Sequence, residues 1–361
     1  MNADMITTDD ALADLCAALA GEAWFTLDTE FLRERTYRAR LCLIQVATPA
    51  FVAVVDPLAG LDLKPFMHLL HSAPRKVLHA ARQDLEVFYD IEPRVPAPIV
   101  DTQIAAALLG HDDQSGFATL VARIANITID KAPQRTDWSK RPLTEAQLVY
   151  AADDARWLCP VYETLHEQLA AQGRLDWLAE ECARLTEPAL YASDPELAWR
   201  RLRGGDFSPA GQQVLRALAV WREREAQKRD LPRSWVVKDD VLYDIARLLP
   251  ETMAALAAVT GLEEKARARH GATLLDIVQA ARQAEPLALW TTVAPLTRPE
   301  NLQVKALLER VRVRGLELSV APALLATRRD MERLVRGADP ADIFHGWRAP
   351  LVLPLCAPAA V

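Results

Sequence analysis

The chain has 361 residues, of which 51% are hydrophobic and 25% charged, and its formal charge is −7 at pH 7. This length predicts two or three domains, and the net acidity argues against a general nucleic-acid coat protein, although local basic patches stay compatible with binding a strand. No uncharged apolar stretch reaches the ~18 residues that a membrane span needs. Five scattered cysteines without a CxxC pair predict reduced thiols and a cytoplasmic protein.

The first half of the chain is predicted to form a mixed sheet with helices packed on it. An amphipathic helix over 8–21 precedes three apolar runs of strand length, and two shorter strands then alternate with helices. A long helix follows from Thr144 to Gln172, and its opening Thr144 and Gln147 resemble a capping box. The pattern predicts an α/β fold with a five-stranded sheet.

The second half of the chain is predicted to be helical. From about Ala189 the β pattern largely disappears, and over residues 206–285 proline and glycine separate several short helical segments. The proline-rich tail, residues 348–361, is predicted to be irregular.

Four carboxylates and a tyrosine stand out in this pattern. Asp28 and Glu30 are two apart on a predicted strand, so they leave the same face; Asp84 lies near a helix start; Tyr150 and Asp154 are four apart on the long helix. Acidic groups in apolar settings repel one another unless cations neutralise them, and two-metal phosphodiester hydrolysis needs such a cluster. The set therefore predicts a metal-dependent nuclease.

Each of these residues also has an ordinary structural interpretation. An aspartate near a strand end often caps a turn, and one at a helix start is stabilised by the helix dipole. Tyr150 alone is typical of a core aromatic. Asp153, about 100° away from Asp154 around the helix, is interpreted as a surface acid or as an acid that supports the ligands, and not as a ligand itself.

Taken together, the motifs resemble those of a known family. LDTEF, the H-x(4)-D-L-E-V-F segment and Y-x-x-x-D resemble the three motifs of the tyrosine-bearing branch of the DEDD exonucleases. The segments EFLRERTYRARLCLIQVAT and DWSKRPLTEAQLVYAADDARWLCPVY resemble bacterial ribonuclease D. The resemblance implies a ribonuclease-H-like sheet and a 3′–5′ exoribonuclease that trims RNA from a free 3′ end, with transfer-RNA precursors as the expected substrate and nucleoside 5′-monophosphates as products.

The resemblance also assigns roles to the five side chains. Two divalent cations, Mg²⁺ or Mn²⁺, would be held by Asp28, Glu30, Asp84 and Asp154, with Asp28 shared between them. Tyr150 would orient the attacking water and not act as a strong base, because a phenol with a pKa of ~10 stays protonated at neutral pH. Hard oxygen ligands suit these cations better than Zn²⁺.

Substrate contacts are less well specified. Phe31 could lie against the terminal base and Trp138 could stack on a nucleotide, but either could equally be a packing residue. Arginines concentrate in residues 33–40, 200–233 and 298–336. These segments could be basic patches that bind a nucleic-acid strand, or they could be solvated helix faces without a binding role.

The resemblance divides the chain into three domains. Residues 1–188 would be the exonuclease domain, 206–286 an HRDC domain (a small helical bundle), and 295–361 a second, diverged HRDC-like domain with a tail. These bundles would help to hold RNA, and the protein is expected to be a monomer. Two other functions stay open: a DNA 3′–5′ exonuclease, or a catalytically silent RNA-binding scaffold. Retention of all five side chains argues against the scaffold.

Overall fold

One mixed β-sheet positions the acidic residues. The computed structural model describes residues 4–285, 289–290 and 294–356. Its strands are β1 (Asp4–Ile6), β2 (Trp24–Leu32), β3 (Arg40–Ala47), β4 (Val52–Val55), β5 (Arg75–Leu78) and β6 (Ile99–Asp101). They form one sheet in the order β1-β4-β3-β2-β5-β6. Strands β2, β5 and β6 run parallel, whereas β3 and β4 are antiparallel.

The predicted mixed α/β fold is confirmed, but the strand count of five is wrong. The sixth strand is β1, which pairs in parallel with β4 and places Asp4 opposite Ala53. Only three residues long, β1 offers no alternating pattern that a sequence could display.

Sixteen α-helices surround this sheet or form separate bundles in the described ranges. They are α1 (Asp9–Ala20), α2 (Lys64–Leu70), α3 (Arg82–Ile91), α4 (Thr102–Ala107), α5 (Phe117–Ile124), α6 (Glu145–Ala171), α7 (Leu175–Leu185), α8 (Pro209–Arg229), α9 (Arg233–Val236), α10 (Asp239–Leu248), α11 (Met253–Ala257), α12 (Glu264–Gln283), α13 (Arg298–Leu318), α14 (Pro322–Leu325), α15 (Arg328–Val335) and α16 (Ala349–Cys356). None of the described helices is long and apolar enough to cross a membrane.

Helix α6 lies across the sheet and fixes one side of the site. Its predicted capping box is confirmed: the Thr144 side chain accepts from the backbone N–H of Gln147, whose own side chain accepts from the N–H of Thr144. The helix packs on β2, β4 and β5, and its small buried residues Ala152 and Ala155 share an apolar cluster with Ala47 and Val52 of the sheet. The Thr26 hydroxyl of β2 donates to the Ala155 carbonyl at 2.9 Å, so strand and helix are fixed in register.

The first of two compact units contains the sheet, α1 to α7 and the C-terminal helices α13 to α16. Arg174 donates to the Leu318 carbonyl at 2.5 Å, and the Trp177 and Trp347 rings stack with centroids 4.6 Å apart. The tail was expected to be irregular, which is wrong for residues 349–356: they form α16, with Pro350 in its first turn, where a missing N–H costs nothing. Residues 357–361 of that prediction lie outside the described residues.

The second unit combines residues 192–295 with the segment 33–40. Helices α8, α10 and α12 enclose a core that includes Leu215, Leu242 and Leu274. The predicted division into three domains stays a prediction.

Candidate active site

Strand β2 carries the first two acids. Asp28 and Glu30 are half-buried and alternate with the buried Thr29. Their side chains therefore leave one face of the strand, as their spacing predicted. The same face carries Thr26, whose hydroxyl is bonded to α6, so the two acids have a fixed position relative to that helix.

Asp84 comes from the first turn of α3, which follows β5 through a tight turn. The turn contains Ala80 with a φ of 54°, a left-handed conformation that is unfavourable for alanine. The buried carboxylate of Asp101 holds it, because its oxygens accept from the N–H groups of Ala80 and Ala81 at 3.0 and 2.9 Å. The Thr29 hydroxyl then donates to Asp84 Oδ1 at 2.5 Å, which joins the turn to β2.

Tyr150 and Asp154 lie one turn apart on α6, and both are buried. Tyr150 and Asp154 are close enough to shift each other's pKa: the carboxylate raises the pKa of the phenol, and the phenol lowers that of the carboxylate. Asp153 points elsewhere and pairs with Arg156 at 3.1 Å, in agreement with its interpretation as a surface acid.

All five residues line one pocket of about 460 Å³. Three separate elements thus bring Asp28, Glu30, Asp84, Tyr150 and Asp154 together around a single space. Polar and apolar surfaces both contribute to its wall. The other lining residues are Thr29, Phe31, His79, Ala80, Gln83, Gln103, Gly116, Phe117, Gln134 and Leu158.

The acids are destabilised as anions by burial and by one another. Burial raises the pKa of Asp28 to about 6 and that of Asp154 to about 8, where the charge of Asp28 adds to the effect. The pKa of Glu30 rises to about 9 through burial and the charges of the other three carboxylates. The pKa of Asp84 is raised well above its ordinary range for the same two reasons.

These donors fit divalent cations that prefer oxygen. The four carboxylates supply only hard oxygen ligands, which suit Mg²⁺ or Mn²⁺, and a positive charge between them would remove the repulsion that raises their pKa values. Within the described ranges, no three His, Cys, Asp or Glu side chains form a ready-made metal-binding group. The fit therefore rests on the donor chemistry and shared pocket of the carboxylates.

The two predicted substrate contacts differ in accessibility. Phe31 is half-buried and lines the pocket. Trp138 is 2% exposed, lies outside the pocket wall and has its ring centroid 6.0 Å from that of Tyr150. The ring is enclosed by packing beside Tyr150, as the packing alternative predicts, and stacking of Trp138 on a nucleotide stays a prediction.

Some contributors to the site were not predicted from the sequence. Thr29 and Asp101 act through hydrogen bonds that hold Asp84 and its turn. Gln83, Gln103 and Gln134 line the pocket and add amide groups within reach of a ligand. The glutamines have no distinctive sequence pattern that would predict a role. Asp101 does have one, because an aspartate between a strand and a helix is a preferred N-cap residue.

Comparison with known proteins assigns the family. Residues 3–170 match the family of 3′–5′ exonucleases, and residues 211–278 match the HRDC domain, inside the predicted range 206–286. Ribonuclease D of Acidiphilium cryptum is 42% identical over 355 residues, which cover 96% of this chain and 90% of that protein. Ribonuclease D of Granulibacter bethesdensis is 42% identical over 95% of this chain and 89% of its own length.

The same relationship appears in three dimensions. The crystal structure of Escherichia coli RNase D, described as an exoribonuclease involved in structured RNA processing, superposes with a TM-score of 0.87 at 35% identity, covering 99% of this chain and 98% of that chain. Sequence and fold agree over nearly the whole length. The chain belongs to the ribonuclease D family of 3′–5′ exoribonucleases.

Proposed function

We propose that Asp28, Glu30, Asp84, Tyr150 and Asp154 are the catalytic groups of this exoribonuclease. They would hydrolyse the terminal phosphodiester bond of RNA and release nucleoside 5′-monophosphates one at a time. The observation that carries the proposal is the convergence of four carboxylates from three elements on one pocket, each with a raised pKa. Acids with strongly raised pKa values that share one pocket are typical of a functional site.

The exonuclease fold implies dependence on divalent metal ions, and we propose two of them, Mg²⁺ or Mn²⁺. When bound, they supply Lewis-acid activation of water and neutralise the charge that develops on the phosphate. Asp28, Glu30, Asp84 and Asp154 would hold them, with Asp28 shared, while Thr29 keeps Asp84 in position through its hydrogen bond.

Tyr150 would orient the attacking water through its hydroxyl. Burial and the nearby carboxylates raise the pKa of Tyr150 far above neutrality, so the hydroxyl keeps its proton and serves as a donor. The ring of Tyr150 is held beside that of Trp138, with centroids 6.0 Å apart, which keeps the hydroxyl at the pocket. Phe31, on the pocket wall, would lie against the terminal base and keep bulk water from the reacting bond.

The substrate we propose is RNA with a free 3′ end, with transfer-RNA precursors as the natural source. The HRDC match at 211–278 supports an RNA-holding role for the helical half. The five cysteines form no disulfides, in agreement with a reducing compartment such as the cytoplasm, and we expect a monomer.

A labelled RNA assay tests this function. RNA carrying a 5′ label is incubated with the protein and Mg²⁺ or Mn²⁺, and a parallel sample contains EDTA. We expect a ladder that shortens from the 3′ end, with nucleoside 5′-monophosphates as product and no cleavage in EDTA. Internal cuts, or equal cleavage in EDTA, would refute the mechanism; faster cleavage of single-stranded DNA would favour the DNA alternative.

A further inference from the structure

A second cavity lies within the unit formed by residues 33–40 and 192–295. Its volume is about 440 Å³, and it shares no lining residue with the acidic pocket. Five of its lining side chains are cationic and two are acidic, which leaves an excess of three positive charges in a chain whose net charge is −7. The cationic side chains are Arg33, Arg201, Arg222, Arg233 and Lys238.

Both acids of this cavity are already paired with arginines. The buried Glu223 accepts from Arg233 at 2.5 and 2.6 Å and from Arg201 at 3.4 Å. Asp239 pairs with Arg222 at 2.6 Å. Arg201, Arg222 and Arg233 keep N–H donors that these contacts do not use, because each guanidinium has five, and these donors can meet an incoming anion.

The cationic groups are held in position before any ligand arrives. Arg233 donates to the Tyr37 hydroxyl at 3.0 Å and lies 4.7 Å from the centre of the Tyr37 ring, while that hydroxyl donates to Glu223. Burial opposes ionisation of Glu223, but its bonds from Arg233 and Tyr37 outweigh burial and lower its pKa. A cationic site that is ordered in advance loses less conformational entropy on binding.

An exposed tryptophan directly follows a residue of the cavity wall in the sequence. Trp235 is 59% exposed, although tryptophan is usually enclosed in a core, and its neighbour Ser234 is part of the cavity wall. Lys238 and Arg201, also in the wall, are exposed as well. Cationic groups for phosphates combined with an aromatic face for a base are the components of a site for single-stranded nucleic acid.

We propose that this cavity and Trp235 form a binding site for the backbone of single-stranded RNA, with a phosphate in the cavity and an adjacent base on the indole. The proposal rests on the proposed function for the nature of the strand. The unused arginine N–H groups match phosphate oxygens. An acidic polypeptide could pair with the cationic groups, but its acidic side chains would not stack on the exposed indole. RNA supplies both phosphates and bases, so it accounts for both features.

Binding of a 5′-labelled oligoadenylate, measured by fluorescence anisotropy in EDTA so that no cleavage occurs, tests this site. Arg201→Ala with Lys238→Ala should raise the Kd by about tenfold and reduce the salt dependence of log K by about 1, as expected for the loss of one or two phosphate contacts. A matched control is Lys265→Ala with Arg269→Ala, which removes the same charge from exposed positions of α12 outside the cavity and should change the Kd little.

The aromatic contact is tested separately in the same assay. Trp235→Ala should weaken binding by about tenfold, whereas Trp235→Phe, which keeps a ring, should retain most of the affinity. The three side chains are exposed, so thermal melts of the variants should match the wild type, and the melts verify that folding is intact.

Wild-type affinity in both Arg201→Ala/Lys238→Ala and Trp235→Ala would overturn the site. Displacement of the RNA by polyglutamate of equal charge as readily as by unlabelled oligoadenylate would overturn it in favour of an acidic protein partner. Cleavage by the wild type in Mg²⁺ is scored in parallel. Normal cleavage with unaffected binding in the variants would refute this site alone, whereas variant-sensitive binding without cleavage would refute only the proposed function.

Discussion

The side chains of the acidic pocket depend on one another for their charge state. Glu30 is the clearest case, because burial and three neighbouring carboxylates raise its pKa to about 9. A single aspartate with ordinary surroundings would stay ionised at neutral pH. For the four carboxylates to be ionised together at neutral pH, their negative charge therefore has to be balanced by cations from outside the chain.

Replacing a ligand by its amide isostere tests this directly. Asp28→Asn keeps the size of the side chain but removes its charge, so we expect turnover on RNA to fall by at least about a hundredfold while the fold is retained. Melting temperature should stay equal or rise, because one repelling charge is lost. Asp153→Asn, which removes a carboxylate paired with Arg156 outside the pocket wall, is the matched control and should stay active. A fully active Asp28→Asn protein contradicts the account.

The tyrosine has a separable role. Tyr150→Phe keeps the ring that packs against Trp138 and removes only the hydroxyl at the pocket. We expect kcat to fall by about a hundredfold or more, with Mn²⁺ affinity close to that of the wild type. The pH profile of the wild type should show no tyrosine ionisation below pH 10, because the pKa of Tyr150 is raised. Equal losses of kcat and Mn²⁺ affinity would assign Tyr150 to metal binding instead.

At the scale of elements, one arginine fixes the loop behind Tyr150. Arg141 makes two 2.6 Å bonds to Asp56 and donates at 2.8 Å to the carbonyls of Cys42, Trp138 and Lys140, so all five of its N–H groups are used. These bonds join the loop to β3 and to the turn after β4 and keep Trp138 enclosed.

Arg141→Lys should therefore destabilise the fold, although it keeps the positive charge. A lysine cannot reproduce the planar fork, so we expect the free energy of unfolding to fall by about 2 kcal/mol or more in urea denaturation. The same substitution at the exposed Arg135 serves as control and should change stability by less than about 0.5 kcal/mol. An Arg141→Lys protein as stable as this control would show that the loop is held by other contacts.

The elements also explain which parts of the site were predictable. Asp28, Glu30, Tyr150 and Asp154 occur in local spacings that already place each pair on one face of a strand or helix. The role of Asp101 was missed because its carboxylate binds backbone N–H groups some twenty residues away, at Ala80 and Ala81. Such a contact depends on strand pairing and leaves no periodic signal.

Packing against distant residues accounts for the other differences. The sequence leaves open whether Trp138 stacks on a nucleotide or packs in the fold, because its enclosure beside Tyr150 depends on residues that are distant in sequence. The sequence predicted only that the arginine-rich segment 33–40 is a basic patch. Its Tyr37 binds Glu223 of α8 and Arg233 of α9, almost 200 positions later, and such contacts leave no local pattern. The three-residue β1 is visible only through its pairing with β4.

At the scale of the whole molecule, the acidic pocket makes stability depend on pH and on cations. The pKa values of Glu30 and Asp154 are about 9 and about 8 in the fold, against ordinary values of about 4. In the absence of cations the folded state thus binds more protons than the unfolded chain. This contribution to stability is complete below about pH 4 and is lost as the pH rises through 8 and 9.

Melting temperatures at several pH values check this dependence. In EDTA we expect the melting temperature to fall by several degrees between about pH 5 and pH 9, and in Mg²⁺ the fall should be smaller, because the cations replace the protons. Glu30→Gln cannot titrate and should reduce the slope in EDTA. Identical slopes in EDTA and Mg²⁺ for the wild type would contradict the coupling of the four carboxylates to cations.

Direct measurement of Mn²⁺ binding tests the central claim, which is that four carboxylates from β2, α3 and α6 act as one cation site. Electron paramagnetic resonance counts free Mn²⁺ in a titration of the purified protein. The account predicts two bound ions per chain for the wild type, with binding strongly weakened in Asp28→Asn and in Asp154→Asn and unchanged in Asp153→Asn. Absence of binding in the wild type, or wild-type binding in Asp28→Asn, would contradict it.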